Sequence, residues 1–229
     1  MTRAEATPLP NETPIGAKKG MISILNPWNE IDLNIYEAHM SRVLQLQTLN
    51  HIVSQQLKDY DHTNVTILGI AGGNGLEYID VANTDRVYVI DVNRHYLDAC
   101  VDRYPELSSI LKPIHCDLSD DDVVLPYANI TIGNLVVEYL GEENFAKLLG
   151  KNRDRLDVLT CVIQKNNGNN VVSESGMASA FDSILAIHHD IDPSELSDNL
   201  SKEGFEQIKE IVYPLPSGKE LLRIDFKRI

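Results

Sequence analysis

Between Asn26 and about Tyr60 the apolar residues Val43, Leu44, Leu46, Leu49, Ile52, Val53 and Leu57 recur at three- and four-residue spacing. That rhythm predicts helix with one buried face. Beyond Tyr60 it changes, and short runs rich in branched residues alternate with helix-length segments. Val65–Ile70 reads as a strand, Leu76–Ala82 as a helix, Arg86–Ile90 as a strand and Tyr96–Tyr104 as a helix. Ile114 with Cys116 marks a short strand and Ile130–Val136 another, followed by a helix over Glu142–Leu149 and a strand over Leu156–Ile163. Alternation with nearly continuous apolar strands is what a parallel sheet covered on both faces requires. The end of the chain breaks the rule. Phe205–Tyr213 and Glu220–Arg228 both look extended, and Pro214-Leu215-Pro216-Ser217-Gly218 between them is turn chemistry, too short for a parallel crossover. The pattern predicts a doubly wound α/β fold whose mostly parallel sheet ends in an antiparallel hairpin, with a helical segment before it.

With 229 residues the chain fits one main domain. Residues 1–20, with Pro8, Pro10 and Pro14, read as a weakly ordered tail, 21–60 as a helical segment and 61–229 as the α/β domain. Hydrophobic residues make up 43% and charged residues 24%, an ordinary globular balance. The net charge of −14, with basic pairs such as Lys18-Lys19 and Lys227-Arg228 isolated, argues against nucleic acid and anionic membrane as partners. No apolar stretch approaches the ~20 residues that cross a bilayer, and the tail lacks the apolar core of a signal peptide. Cys100, Cys116 and Cys161 are too few and too scattered for a disulfide framework or a metal motif. They read as free thiols in a reducing compartment, which makes a soluble, cytoplasmic protein the expectation. Asp120-Asp121-Asp122 reads as solvated carboxylates at a helix start.

Candidate chemistry concentrates at Ile67-Leu68-Gly69-Ile70-Ala71-Gly72-Gly73-Asn74-Gly75-Leu76-Glu77, an apolar strand running into a glycine-rich turn that opens a helix. Glycines there permit positive φ and close approach of a ligand. Sixteen residues beyond Gly75 the second strand ends in Asp91, placed to accept both hydroxyl protons of a ribose or, more simply, to cap the next helix. Asp117 follows the third strand, where a carboxylate can receive an adenine amino group. Together the strand ends point to an adenosine-containing ligand at the carboxyl edge of the sheet. The dinucleotide fingerprint needs a small third residue, and counting from Gly73 and Gly75 puts Tyr78 there, which disfavours a pyrophosphate cofactor.

The run Gly69-Ile70-Ala71-Gly72-Gly73-Asn74-Gly75, followed by Asp91 and Asp117, resembles the class I S-adenosylmethionine-dependent methyltransferases over roughly residues 60–229. The resemblance implies a Rossmann-like, seven-stranded sheet and S-adenosyl-L-methionine as cofactor. It implies that Gly69, Ala71, Gly73 and Gly75 lie under the methionine part. Asp91 would hold the ribose with Val92 and Asn93 beside the adenine, and Asp117 with Leu118 would reach the adenine. The chain departs from the family pattern at Gly69, where an acid is usual, and at Ala71, where glycine is usual.

Asn134-Leu135-Val136-Val137-Glu138-Tyr139-Leu140 is similar to the fourth-strand segment of small-molecule methyltransferases. By that similarity Asn134 and Leu135 border the cofactor, while Glu138 and Tyr139 face a small-molecule acceptor. Glu138 is the candidate base or binder of a cationic acceptor, with a plain helix-entry carboxylate as the alternative; Tyr139 is a candidate pocket wall or a core ring. Trp28, Tyr36, His39 and Met40 precede the sheet, where related enzymes fold a lid over the cofactor, so Tyr36 and Met40 join the candidate cofactor contacts. His188 and His189, being adjacent, diverge on a helix and do not readily serve one metal, so no metal site is expected. Two rival functions stay open at this point: a nicotinamide-nucleotide oxidoreductase and a non-catalytic module that binds S-adenosylmethionine.

Overall fold

The computed structural model describes residues 26–229. The tail expected over 1–20, and positions 21–25 of the helical segment, lie outside the described residues.

The helical segment forms in three pieces rather than one. Asn26 caps a 3-10 turn at Pro27–Glu30 by accepting from the Trp28 N–H, and Asp32 caps α1 (Leu33–Arg42) by accepting from the Ile35 N–H. Leu44 then takes a left-handed conformation, φ +61°, so α2 (Gln45–Asp59) has to start afresh. The sheet follows, with β1 (Asn64–Leu68), β2 (Arg86–Asp91), α3 (Arg94–Arg103), β3 (Leu111–His115), β4 (Ala128–Asn134), α4 (Val137–Leu140), α5 (Glu142–Lys151) and β5 (Leu156–Lys165). A long connection carrying α6 (Asp182–Leu185) leads to α7 (Pro193–Lys202), β6 (Phe205–Pro214) and β7 (Glu220–Arg228).

The seven strands form one sheet in the order β3-β2-β1-β4-β5-β7-β6. β1 through β5 pair in parallel, and β7 inserts antiparallel between β5 and β6. Val65 of β1 sits beside Val87 of β2 on one side and Ile130 of β4 on the other. The strand order reverses there, which opens a crevice at the carboxyl ends of β1 and β4. Successive residues feed opposite layers: Ile67 packs with α2 and α3, Leu68 with α5 and α7. That is why the parallel strands read as continuous apolar runs.

Two expectations fail. Leu76–Ala82 is not a helix; a single 3-10 turn spans Leu76–Tyr78. The Asp80 carboxylate accepts from the Ala82 N–H at 2.9 Å and from the Asn83 amide at 2.6 Å, a local turn that competes with helical bonding. Asp120-Asp121-Asp122 starts no helix either and lies in an irregular connection to β4. α7 escaped the periodicity reading because only Leu196 and Leu200 are buried along it, although Asp192-Pro193 is a regular helix start. Among the described residues no helix is long and apolar enough to cross a membrane.

Candidate functional site

The glycine turn after β1 is held against the end of β2 through Asp91. The Ala71 N–H donates to one carboxylate oxygen and the Asn93 N–H to the other, each at 2.9 Å. Asp91 is 7% exposed, and burial pushes its carboxyl up to about 6 against the pull of those donors. Each carboxylate oxygen has two lone-pair sites, so one on each is left for a ligand hydroxyl. The plain capping reading belongs to the neighbour: Asn93 caps α3 by accepting from the His95 and Tyr96 N–H groups.

The departure at Gly69 has a steric cause. Its φ is +68°, and a Cβ there would collide with the Val136 side chain, so an acid at this position would strain the backbone and require Val136 to move. Gly75, at φ +98°, faces Val53 of α2, which a Cβ would meet at 2.6 Å. Ala71 adopts φ +49° despite its side chain, anchored by its bond to Asp91. Because only a 3-10 turn follows, the helix N-terminus that would bind a pyrophosphate is not formed here.

At the end of β3, Asp117 is buried and accepts from the Ser119 N–H and hydroxyl, at 3.0 and 2.7 Å, and from the Asn26 amide at 3.0 Å. Val92 receives the His115 ring on its carbonyl at 2.8 Å, and Leu118 packs into the core on the α5 side. The N-terminal segment is tied across these strand ends. The Asn93 amide donates to the Trp28 carbonyl and the Tyr96 hydroxyl to the Ile31 carbonyl, both at 2.9 Å. Arg103 grips the Glu37 carboxylate at 2.6 and 3.0 Å while also donating to the Gly72 carbonyl at 2.7 Å.

A cavity of about 70 Å³ lies beyond the end of β4. Tyr36, Met40 and Leu135, read from the sequence as cofactor contacts, and Glu138 and Tyr139, read as facing the acceptor, line it together with Trp28, His39 and His188. Its other walls carried no sequence signal: Gln45, Gln164, Val171, Val172, Phe181 and Ile184 come from four separate segments. Gly69, Ala71, Gly73, Gly75, Asp91, Val92, Asn93, Asp117 and Leu118 stand at the neighbouring strand ends and do not line it. Asn134 is locked by Gln56, the two side-chain amides exchanging bonds of 2.9 and 3.0 Å. Of the histidine pair, His188 faces the cavity with its ring edge-on to Tyr139 at 5.8 Å, and His189 is exposed.

Glu138 is 2% exposed. One carboxylate oxygen accepts from the Gln164 N–H at 2.7 Å and the other, Oε2, has no partner among the described residues. Burial pushes its carboxyl up to about 7, aided by the Glu142 charge. His39, hydrogen-bonded to the Ser175 hydroxyl at 2.6 Å, and His188 are both held below the usual imidazole range, first by burial. A carboxylate balanced near neutrality beside two neutral imidazoles can accept a proton from a bound molecule.

No family model and no curated protein matches the chain. Solved structures do. The pyocyanin biosynthetic protein PhzM superposes with a TM-score of 0.56 at 18% identity over 81% of this chain, which spans only 57% of that protein. Magnesium protoporphyrin IX methyltransferase (ChlM) from Synechocystis PCC 6803, solved with bound SAM, gives 0.66 at 10% identity over 90% of this chain and 95% of its own. The N-methyltransferase NodS from Bradyrhizobium japonicum WM9 gives 0.59 at 12% identity over 80% and 95%. The chain therefore shares the Rossmann-like fold of these proteins.

Proposed function

We propose that the protein is a class I S-adenosyl-L-methionine-dependent methyltransferase acting on a small-molecule acceptor. The observation that carries this is the pair of buried carboxylates, Asp91 ending β2 and Asp117 two residues past β3, beside a glycine turn, with an acid-bearing cavity next to them. The fold is that of methyltransferases, and ChlM and NodS have been solved with SAM or S-adenosylhomocysteine bound. The donor set fits: Asp91 keeps free lone pairs for ribose hydroxyls, and Asp117 offers an acceptor to an adenine amino group.

When bound, the cofactor supplies an electrophilic sulfonium methyl. In this reading the turn from Gly69 through Ala71 and Gly73 to Gly75 supports its methionine part, with Val92, Asn93 and Leu118 flanking the adenine. Asn134 and Leu135 border it from β4, while Tyr36 and Met40 close over it from α1. The chain's own contribution is orientation, worth ~7–11 kcal/mol when near-attack geometry is held, and removal of the acceptor's proton by Glu138. Tyr139 forms the wall beside that base. Segment 21–60 serves as the lid of a methyltransferase domain at 61–229, a role supported by the bonds that tie Asn26, Trp28, Ile31 and Glu37 to the strand ends and α3. The free cysteines Cys100, Cys116 and Cys161 suit a reducing, cytoplasmic setting.

Calorimetry with S-adenosylhomocysteine tests the reading. Saturable binding that is lost in Asp91→Asn is the expected result. Binding of NAD with no response to S-adenosylhomocysteine would replace it with the oxidoreductase alternative. Binding without methyl transfer, insensitive to Glu138→Gln, would leave a non-catalytic module.

A further inference from the structure

We propose, on top of the methyltransferase reading, that the acceptor is a small molecule carrying a protonated amine and that this amine sits on Glu138 inside the aromatic-walled cavity. The chemistry of the cavity wall carries the argument. Among the described residues Glu138 is the one acidic side chain of the cavity lining, is 2% exposed, and has one oxygen without a partner. A buried carboxylate with an unserved oxygen is costly unless a cation or strong donor arrives to pair with it.

Among the described residues none supplies that partner. The Gln45 amide donates to the Gln164 amide oxygen, and Gln164 in turn donates to Asn166 and to the Val171 carbonyl. His39 is committed to Ser175 through its Nδ1. Lys219, the buried cation nearby, is not part of the cavity wall and places its ammonium on the Val171 carbonyl at 2.7 Å. The remaining walls combine the rings of Trp28, Tyr36, Tyr139, Phe181 and His188 with aliphatic side chains such as Met40 and Ile184. Trp28 meets Tyr139 edge-on at 4.9 Å and Tyr36 at 5.7 Å, and Tyr139 meets His188. Aromatic walls around a carboxylate favour an ammonium and repel a carboxylate or phosphate. The volume of about 70 Å³ suits an amine head group of a few non-hydrogen atoms.

The reaction balances on nitrogen. Glu138 takes one proton from the ammonium, which frees the nitrogen lone pair to form the new C–N bond. The C–S bond of the sulfonium breaks with its electron pair staying on sulfur, and the proton on Glu138 passes to solvent.

The test uses the full chain loaded with S-adenosylhomocysteine, titrated calorimetrically with n-propylamine and benzylamine and with propanol, benzyl alcohol and propionate. Each amine should bind at least about tenfold tighter than its alcohol, propionate should not bind, and Glu138→Gln should abolish the preference while S-adenosylhomocysteine still binds. In parallel, methyl-labelled S-adenosylmethionine is incubated with a small-molecule cell extract, and the products are split by cation exchange. The unreacted cofactor is itself retained as a cation, so label in a new cationic species that elutes apart from it and is missing without the enzyme supports the proposal. Label confined to neutral or acidic products, no label at all, or an equal affinity for amines and alcohols overturns it. Failure of S-adenosylhomocysteine to bind is a different result: it removes the methyltransferase reading itself.

Discussion

The side-chain amide of Asn26 donates to the Asp117 carboxylate at 3.0 Å, joining two residues 91 positions apart. In the methyltransferase reading that carboxylate receives the adenine amino group, so Asn26 shares with the cofactor an oxygen that still keeps a second lone-pair site. Asn26→Ala should therefore speed cofactor association, because a competing donor is removed. Trp28, the one tryptophan of the chain, lies two positions away and reports binding by stopped-flow fluorescence. An unchanged association rate would detach Asn26 from the cofactor's path.

Asp91 bears on fold and ligand at once. Viewed along the chain it is a strand-end acid, removable without harm to the core. The structure buries it between the Ala71 and Asn93 N–H groups. Asp91→Ala should cost about 1–3 kcal/mol in urea unfolding, since both donors lose their partner. Asp91→Asn keeps an acceptor for one of them and should unfold closer to wild type while still losing cofactor affinity. Wild-type cofactor affinity in the asparagine variant would refute the ribose role.

Glu138 sets the pH response. Its carboxyl rises from the ordinary 4.5 to about 7, so the folded state favours the protonated form. The stabilising contribution is complete below pH 4.5, declines between 4.5 and about 7, and above that ionisation costs the fold about 3 kcal/mol. Glu138→Gln should raise the melting temperature relative to wild type at pH 8 and lose that advantage near pH 5. In methyl transfer, kcat/KM should climb with pH through about 7 as the base ionises, and the glutamine variant should lack that limb. A pH-independent wild type would exclude Glu138 as the base.

Arg223 and Asp225 of β7 form a pair with both side chains fully buried and a closest approach of 2.6 Å. Tyr60 and Thr160 donate to the same carboxylate, and Asp59 supplies a second acid to Arg223 at 2.9 Å. Removing one partner strands a buried charge. Asp225→Ala should destabilise by about 3–5 kcal/mol, and a double Arg223→Leu, Asp225→Leu variant should be less damaged than that single change. Urea midpoints decide it; equal losses would mean that the surrounding network, not the pair, holds the charge.

Much of the architecture was readable along the chain. Parallel strands buried on both faces must be apolar at nearly every position, and the short turn at Pro214–Gly218 could join only antiparallel neighbours, as β6 and β7 prove to be. The glycine turn and the acids ending β2 and β3 were visible as well, because each is written within a few consecutive residues.

Three things were settled by tertiary contact. The Val136 side chain crowds position 69, where a residue without a Cβ stands. Arg223 and Asp225, spaced like solvent-facing residues, are fully buried because β7 slots between β5 and the edge strand β6. The cavity gathers Gln45, Gln164, Phe181 and His188 from distant segments. Periodicity records which face of an element is buried, but a hollow is made by the surfaces that close over it, and those meet only once the chain has folded.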